Sequence, residues 1–270
     1  MTVFPHAKIN IGLHVIAKLA DGYHRIETVL YPVKIHDVLE MIPHRRGKSL
    51  EFSVSGDASP LAVEDNLCVK AFRLLEKRFD LPPVKMHLHK TIPSGAGLGG
   101  GSSDAAYTLR LANELFGLGM HDTELAGLAR QLGSDCAFFI DDRPAYAFGK
   151  GDQLRTSAVD LSGCFLVVVM PPHQVSTAAA YRQVVPRRAD HSLEQSCMAD
   201  PSTWKGRIRN DFEATVFRDF PVLPEIKDML YREGAVYASM SGSGAALYGI
   251  FPEKVALPAL ERECRVFYDV

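Results

Sequence analysis

The sequence predicts a mixed fold in which strands of antiparallel type alternate with amphipathic helices, over a chain long enough for two domains. Three observations carry that reading. Residues 9–18, "INIGLHVIAK", and 23–36, "YHRIETVLYPVKIH", are rich in β-branched and aromatic residues and flank "LADG", an Asp-Gly turn between two strands. "VKMHLHK" at 84–90 puts Val84, Met86 and Leu88 on one face and Lys85, His87 and His89 on the other, as a strand with one wet face does. "DNLCVKAFRLLEKRF" at 65–79 spaces Leu67, Ala71, Leu74 and Leu75 along one helical face, behind a cap at Asp65 or Asn66.

The other elements follow in chain order. Residues 37–42 and 50–54 read as strands joined by the polar "PHRRGKS". After the 84–90 strand and a glycine-rich loop, a helix is expected over 104–116, stopping at Gly117. A second is expected over 122–132, with Asp122 as cap and Gly133 as stop. The polar "QLRTSAVDLSG" marks a domain boundary near 153–160. "CFLVVVM" at 164–170 reads as a buried strand ended by Pro171–Pro172. Helices near 176–184 and 223–233 precede "VYASMSGSGAALYGIF", which reads strand–turn–strand, and "KVALPALEREC" and "RVFYDV" close the chain as helix and strand.

Composition narrows the class. The 270 residues are 47% hydrophobic and 23% charged, the balance of a soluble globular enzyme. A formal net charge of −2 gives no general field for nucleic acid. The basic pairs Arg45–Arg46 and Arg187–Arg188, and the stretch Lys205 to Arg209, read as solvated faces. Cys68, Cys136, Cys164, Cys197 and Cys264 are scattered with no C-x-x-C pair, which predicts reduced thiols in a cytoplasmic protein. No signal peptide is read at "MTVFPHAKIN", and no apolar run is long enough for a membrane span. The pairs His6/His14 and His87/His89 lack a carboxylate or cysteine at ligand spacing, so they read as strand histidines, with no protein metal site. The sequence sets no oligomeric state.

The loop "PSGAGLGGGSSDAA" carries the chemistry. Pro93 and Ser94 open it, and Gly95, Gly97, Gly99, Gly100 and Gly101 supply bare backbone around Ala96 and Leu98. Ser102 and Ser103 lead into the helix. Glycine amides converging beside a helix N-terminus make a phosphate site. Gly95, Gly97 and Gly100 satisfy G-x-G-x-x-G, but the strand before them alternates and Pro93 interrupts the approach, so the dinucleotide reading fails. Neither G-x-x-x-x-G-K-[ST] nor the protein-kinase set occurs.

"PHAKINIGLHV", this loop and "SMSGSGAALYGIF" together resemble the three motifs of the GHMP kinase superfamily. "DGYH" beside "GLGGGSS", with "LGSDCAFFI" and "AFGKGD", resembles the family within it that acts on diphosphocytidyl-methylerythritol. The resemblance runs from about residue 5 to 251. It implies an α+β fold: a ribosomal S5-like N-terminal domain, residues 1–157, and a ferredoxin-like C-terminal domain, 158–270. It further implies transfer of the ATP γ-phosphoryl to the substrate 2-hydroxyl, with ATP phosphates held by residues 93–103 and Mg2+ arriving with the nucleotide. Another GHMP kinase, such as a mevalonate kinase, is the runner-up.

By the same resemblance Lys8 and Asp135 are catalytic, and Asn66 and Lys90 lie near the adenosine. Asn10, Tyr23, His24, Thr177 and Tyr181 face the small-molecule substrate, with Tyr23, His24 and Tyr181 around the cytosine. On the residues alone, Asp135 reads as a cap after Gly133–Ser134, Lys8 as an exposed strand lysine and Tyr23 as hairpin packing. Gly242 and Gly244 are expected to permit close packing rather than to hold ATP. Ser134 and Cys136–Ala137 depart from the Ala and Val-Pro common in the family.

Overall fold

The alternation at 84–90 is reproduced residue by residue. In a computed structural model that describes residues 1–44, 48–57, 62–188 and 191–270, Val84, Met86 and Leu88 are buried and Lys85, His87 and His89 exposed. The Arg45–Arg46 pair lies outside the described residues. Lys90, next on the buried side, is also inside. The chain divides into two compact units: Met1–Ala7, Ile35–Ser94 and Gly99–Asp142 form the first, and Lys8–Lys34, Gly95–Leu98 and Arg143–Val270 the second. These units interleave, so the chain crosses between them inside the glycine loop itself.

In the first unit Val84–Lys90 pairs antiparallel with Val38–Pro43 and parallel with Leu50–Gly56, and Thr2–Val3 completes the four-stranded sheet. The sheet is therefore mixed, not purely antiparallel. Alternation reports only that one face is wet; it is silent on the direction of the neighbour. The helix Leu67–Glu76 makes the crossover between the parallel strands, and Asn66 caps it by accepting from the Cys68 amide at 2.9 Å. That helix packs on Gly100–Leu115, followed by Asp122–Ala129 and Phe138–Asp141. The Gly100 helix starts four residues before the expected Asp104, inside the glycine run. The next helix is preceded by His121, not capped by Asp122: the His121 amide donates to Glu124 Oε2 at 3.0 Å.

The second unit holds two four-stranded sheets. The hairpin strands His6–Lys18 and His24–His36 are extended by Ala145–Phe148 and Gln153–Thr156. The 153–156 segment, at the start of the expected domain boundary, is thus an edge strand whose polar side chains face water. The other sheet, ordered Tyr237–Met240, Leu247–Phe251, Phe165–Met170 and Arg265–Tyr268, is antiparallel throughout. Its core joins Val167, Val169, Ala238, Met240 and Leu247 to Leu13 and Val15 of the hairpin and to Leu223, Ile226 and Leu230 of the helix Val222–Arg232.

Candidate active site

Three sequence motifs meet at one carbonyl in the second unit. Lys8 Nζ and Ser241 Oγ both donate to the Gly97 carbonyl, each at 2.9 Å. The Lys8 amide donates to Leu98 O at 2.9 Å, and the Ala246 amide to Ala96 O at 3.1 Å. Segment 95–98 is thereby held to the first strand and to the "MSGSG" turn. Lys8 is 3% exposed, which overturns the exposed-lysine reading. Its ammonium also bonds Asn10 Oδ1, while Asn10 Nδ2 donates to Thr28 Oγ1 at 3.0 Å. Asn10 thus spends its amide on orienting Lys8. A Cβ on Gly97 would lie 2.1 Å from the Ser241 carbonyl oxygen, and one on Gly242 3.2 Å from Asn10 Oδ1 and Gly97 O. These glycines are required by close approach.

The same loop has positive φ at every second residue: Gly95 at 74°, Gly97 at 78° and Gly99 at 72°. Left-handed glycines at alternate positions are the backbone pattern from which anion nests are built. Ala96 and Leu98 are buried, so neither offers its side chain to a ligand.

Thr177 and Tyr181 lie one turn apart on the helix Thr177–Gln183, on one face. Thr177 Oγ1 and Ser243 Oγ are 2.9 Å apart. Tyr181 lies 5.1 Å from the His24 ring at an interplanar angle of 33° and packs edge-on against Phe212 at 4.8 Å. Burial, with Lys18 nearby, holds the His24 imidazole below the usual histidine range, so at neutral pH it offers one donor and one acceptor nitrogen. Tyr23 stands apart from this pair. It is 63% exposed, with Lys150 Nζ 4.6 Å from its ring centre and Lys150 anchored to Asp21 at 2.6 Å.

In the first unit the helix Gly100–Leu115 begins after Gly99 in the left-handed region, leaving the first-turn amides of a sixteen-residue helix at the loop. Ser102 is half-buried and its hydroxyl bonds the Cys136 thiol, which burial pushes up to about 11. The loop helix therefore lies beside the segment that carries Asp135. Ser103 Oγ is buried with no hydrogen-bond partner. Asp135 is half-buried and accepts from Ser134 Oγ at 3.4 Å. It is not a cap: the short helix starts at Phe138, with Ala137 before it.

The Lys90 side chain is committed inside the protein. Its ammonium is turned inward to Asp37 and, at 2.7 Å, Asp104, and the side chain is 6% exposed. Burial pushes the Asp104 carboxyl up to about 7, with Lys90 opposing and Asp37 adding. Asn66 likewise spends its side-chain oxygen on the helix cap. The structure brings Lys8, Asn10 and Gly97 into one group, and Thr177, Tyr181 and His24 into another. Ser241, Thr28 and Asp37 were not singled out from sequence. Ser241 sat inside a motif whose glycines drew the attention, and Asp37 had no local signal.

Models of the GHMP kinases N terminal domain and the GHMP kinases C terminal domain match residues 66–150 and 196–269. A Parabacteroides distasonis protein named 4-diphosphocytidyl-2-C-methyl-D-erythritol kinase is 45% identical, over 100% of this chain and 97% of its own length. One of the same name from Bacteroides fragilis is 46% identical over 97% and 96%. A crystal structure of 4-(cytidine 5'-diphospho)-2C-methyl-D-erythritol kinase superposes with a TM-score of 0.84 at 33% identity, covering 99% of this chain and 98% of that one. Fold and site define a GHMP kinase. With identity at this level along the whole length, the chain belongs to the 4-diphosphocytidyl-2-C-methyl-D-erythritol kinases. A mevalonate kinase structure, at 15% identity and a TM-score of 0.73, shares the fold alone.

Proposed function

We infer that this protein is a small-molecule kinase that transfers the γ-phosphoryl of ATP to the 2-hydroxyl of 4-diphosphocytidyl-2-C-methyl-D-erythritol, in the non-mevalonate route to isoprenoid precursors. Full-length identity to kinases of that name carries the reading. The deciding experiment measures ADP release with that substrate and with mevalonate. Turnover of the first and none of the second is expected; faster turnover of mevalonate would reassign the chain within the superfamily.

Phosphoryl transfer asks the protein mainly for placement and charge neutralisation. Asp135 accepts the hydroxyl proton as the bond to phosphorus forms, and Lys8 offsets charge on the transferring group. The burial of Lys8 and its tie to the Gly97 carbonyl support this, because a fixed ammonium loses little order on meeting the substrate. Residues 93–103 hold the ATP phosphates through backbone amides, supported by the alternating positive φ and the helix start. Asn66 and Lys90 border the adenosine through their backbone, their side chains being engaged elsewhere. Mg2+ would arrive with ATP, held largely by phosphates and water, with the hydroxyl of Ser102 or of Ser103, whose Oγ is unpartnered, as an oxygen donor that would help to neutralise phosphate charge.

His24, Tyr181 and Thr177 form the substrate wall, with Tyr23 and Asn10 flanking it. A base between two rings needs about 7 Å, two carbon contact distances, so the His24–Tyr181 pair at 5.1 Å must part or offer an outer face to cytosine. The protein acts in the cytoplasm on a small molecule, through an N-terminal kinase domain over residues 1–157 and a C-terminal one over 158–270. No described helix is long and apolar enough to cross a membrane.

A further inference from the structure

Asp37, Lys90 and Asp104 form a buried ionic cluster that the reaction as described does not use. Their side chains are 0%, 6% and 3% exposed. Lys90 ends the Val84–Lys90 strand, on the side where Val84, Met86 and Leu88 are apolar. Asp37 Oδ1 accepts the amides of Thr91 at 2.5 Å and Ile92 at 2.8 Å, while its Oδ2 takes the Lys90 ammonium. Asp104 Oδ2 takes the same ammonium at 2.7 Å from one turn inside the helix Gly100–Leu115, and its Oδ1 has no hydrogen-bond partner. The cluster therefore ties the strand end, the entry to the glycine loop and the first turn of the loop helix.

The fit is tight where it matters. A Cβ on Gly100 would meet Ile92 Cγ2 at 2.9 Å and Lys90 Nζ at 3.1 Å, so the first helical residue rests on the ammonium. By contrast Gly101, one residue on, has only Leu67 Cδ1 at 3.8 Å. We propose that Asp37, Lys90 and Asp104 are positioning residues that aim the first-turn amides of residues 100–103, and so control affinity for ATP. The proposal rests on the reading that this loop holds the ATP phosphates.

The tie reaches backbone on both of its sides. Asp37 holds the Thr91 and Ile92 amides at the loop entry, Asp104 belongs to the loop helix, and the Lys90 ammonium joins the two carboxylates. Cutting a carboxylate from the ammonium frees the first turn to move, and amides that must be ordered on binding hold a polyphosphate less well.

The test is steady-state kinetics for the wild type, Asp104→Ala and Asp104→Asn, the first cutting the tie and the second keeping an oxygen for Lys90. KM for ATP is expected to climb about three- to ten-fold in Asp104→Ala and less than about two-fold in Asp104→Asn, with kcat and the KM of the alcohol substrate moving less than about two-fold in both. A folded Asp104→Ala whose KM for ATP stays at the wild-type value, or one that loses stability with that KM unmoved, would overturn the proposal. Asp37→Ala cuts the tie from the strand side, with the same rise in KM expected, and decides the matter if Asp104→Ala does not fold. Gly99→Val separates the two levels: unchanged ATP affinity in that folded variant sinks the phosphate-loop reading, whereas lost affinity there with KM for ATP unmoved in Asp104→Ala sinks only the ionic cluster.

Discussion

Replacing Gly97 by alanine adds one methyl group at the point where three motifs converge. The residue sits at φ 78°, where an L side chain costs about 1–2 kcal/mol. The new Cβ would lie 2.1 Å from the Ser241 carbonyl oxygen and 3.2 Å from the Gly244 nitrogen, both backbone atoms that no rotamer change can move aside. Overpacking of this kind adds about 1–3 kcal/mol, so the loss of stability should reach about 2–5 kcal/mol, a large share of a domain's total. Relief by local shift would pull the Gly97 carbonyl from Lys8 Nζ and Ser241 Oγ and lower kcat as well. Gly101→Ala is the control. It stands exposed within a helix, its Cβ meets only Leu67 Cδ1 at 3.8 Å, and helix propensity predicts a gain of about 0.5–1 kcal/mol. Urea denaturation followed by circular dichroism reads stability, and ADP release reads turnover. A Gly97→Ala protein within 1 kcal/mol of wild type by that same scale, and with normal kcat, would refute the convergence argued here.

Asp135→Asn should keep fold and ATP affinity and lower kcat by about 10²–10⁴ through loss of the proton acceptor; single-turnover rates near wild type would demote Asp135 to a structural group. Tyr23→Ala should cost about 1–3 kcal/mol in kcat/KM for the cytidylyl substrate with the KM for ATP unmoved. Equal turnover of methylerythritol phosphate with and without the cytidylyl group would remove the base-binding assignment. His14 is buried with both ring nitrogens unpartnered, and burial holds its imidazole below 6.5, with Asp211 opposing. A depressed histidine favours the neutral native state, so stability should fall as pH drops below 6.5, where the unfolded chain binds the extra proton. The slope from this group stays under about 1.4 kcal/mol per pH unit. Denaturation midpoints at pH 8 and 5.5 should differ less in His14→Leu than in wild type; an equal difference would discharge His14 from the acid limb.

Elements whose residues carry their own period were legible in the sequence. The alternation at 84–90, the helical spacing after Asn66 and the "VYASMSGSGAALYGIF" strand–turn–strand all stand where the pattern put them. What failed depended on partners far along the chain. Residues 153–156 carry no strand signal because a polar edge strand has no apolar period of its own, and pairing with Ala145–Phe148 makes them one. Lys90 falls on the apolar side of its strand, and the carboxylates that take its ammonium, Asp37 and Asp104, lie 53 and 14 residues away with no local signal. Tyr23 and His24 are adjacent in sequence, yet only His24 meets Tyr181.

The glycine loop shows why composition announced a function that only geometry could apportion. Glycine density says that backbone must approach something closely, and the structure divides that approach in two. Consecutive carbonyls of Ala96, Gly97 and Leu98 are taken by Ala246, Ser241 and Lys8, which fixes the segment from the protein side. Positive φ at 95, 97 and 99 then leaves amides for the other side, and the helix start at Gly100 adds its own. With these three carbonyls held internally, the amides are what this segment has left to offer, which suits a polyanion. Ser241 is the economical probe of that division. Ser241→Ala removes one of two donors to the Gly97 carbonyl and the acceptor of the Asn10 amide at 3.2 Å, without adding an atom. With the Lys8 ammonium still on that carbonyl, the substitution should cost about 1–3 kcal/mol of stability and raise KM for ATP. If KM for ATP holds while stability falls, the carbonyl side of the loop serves only the fold, and the two halves act independently.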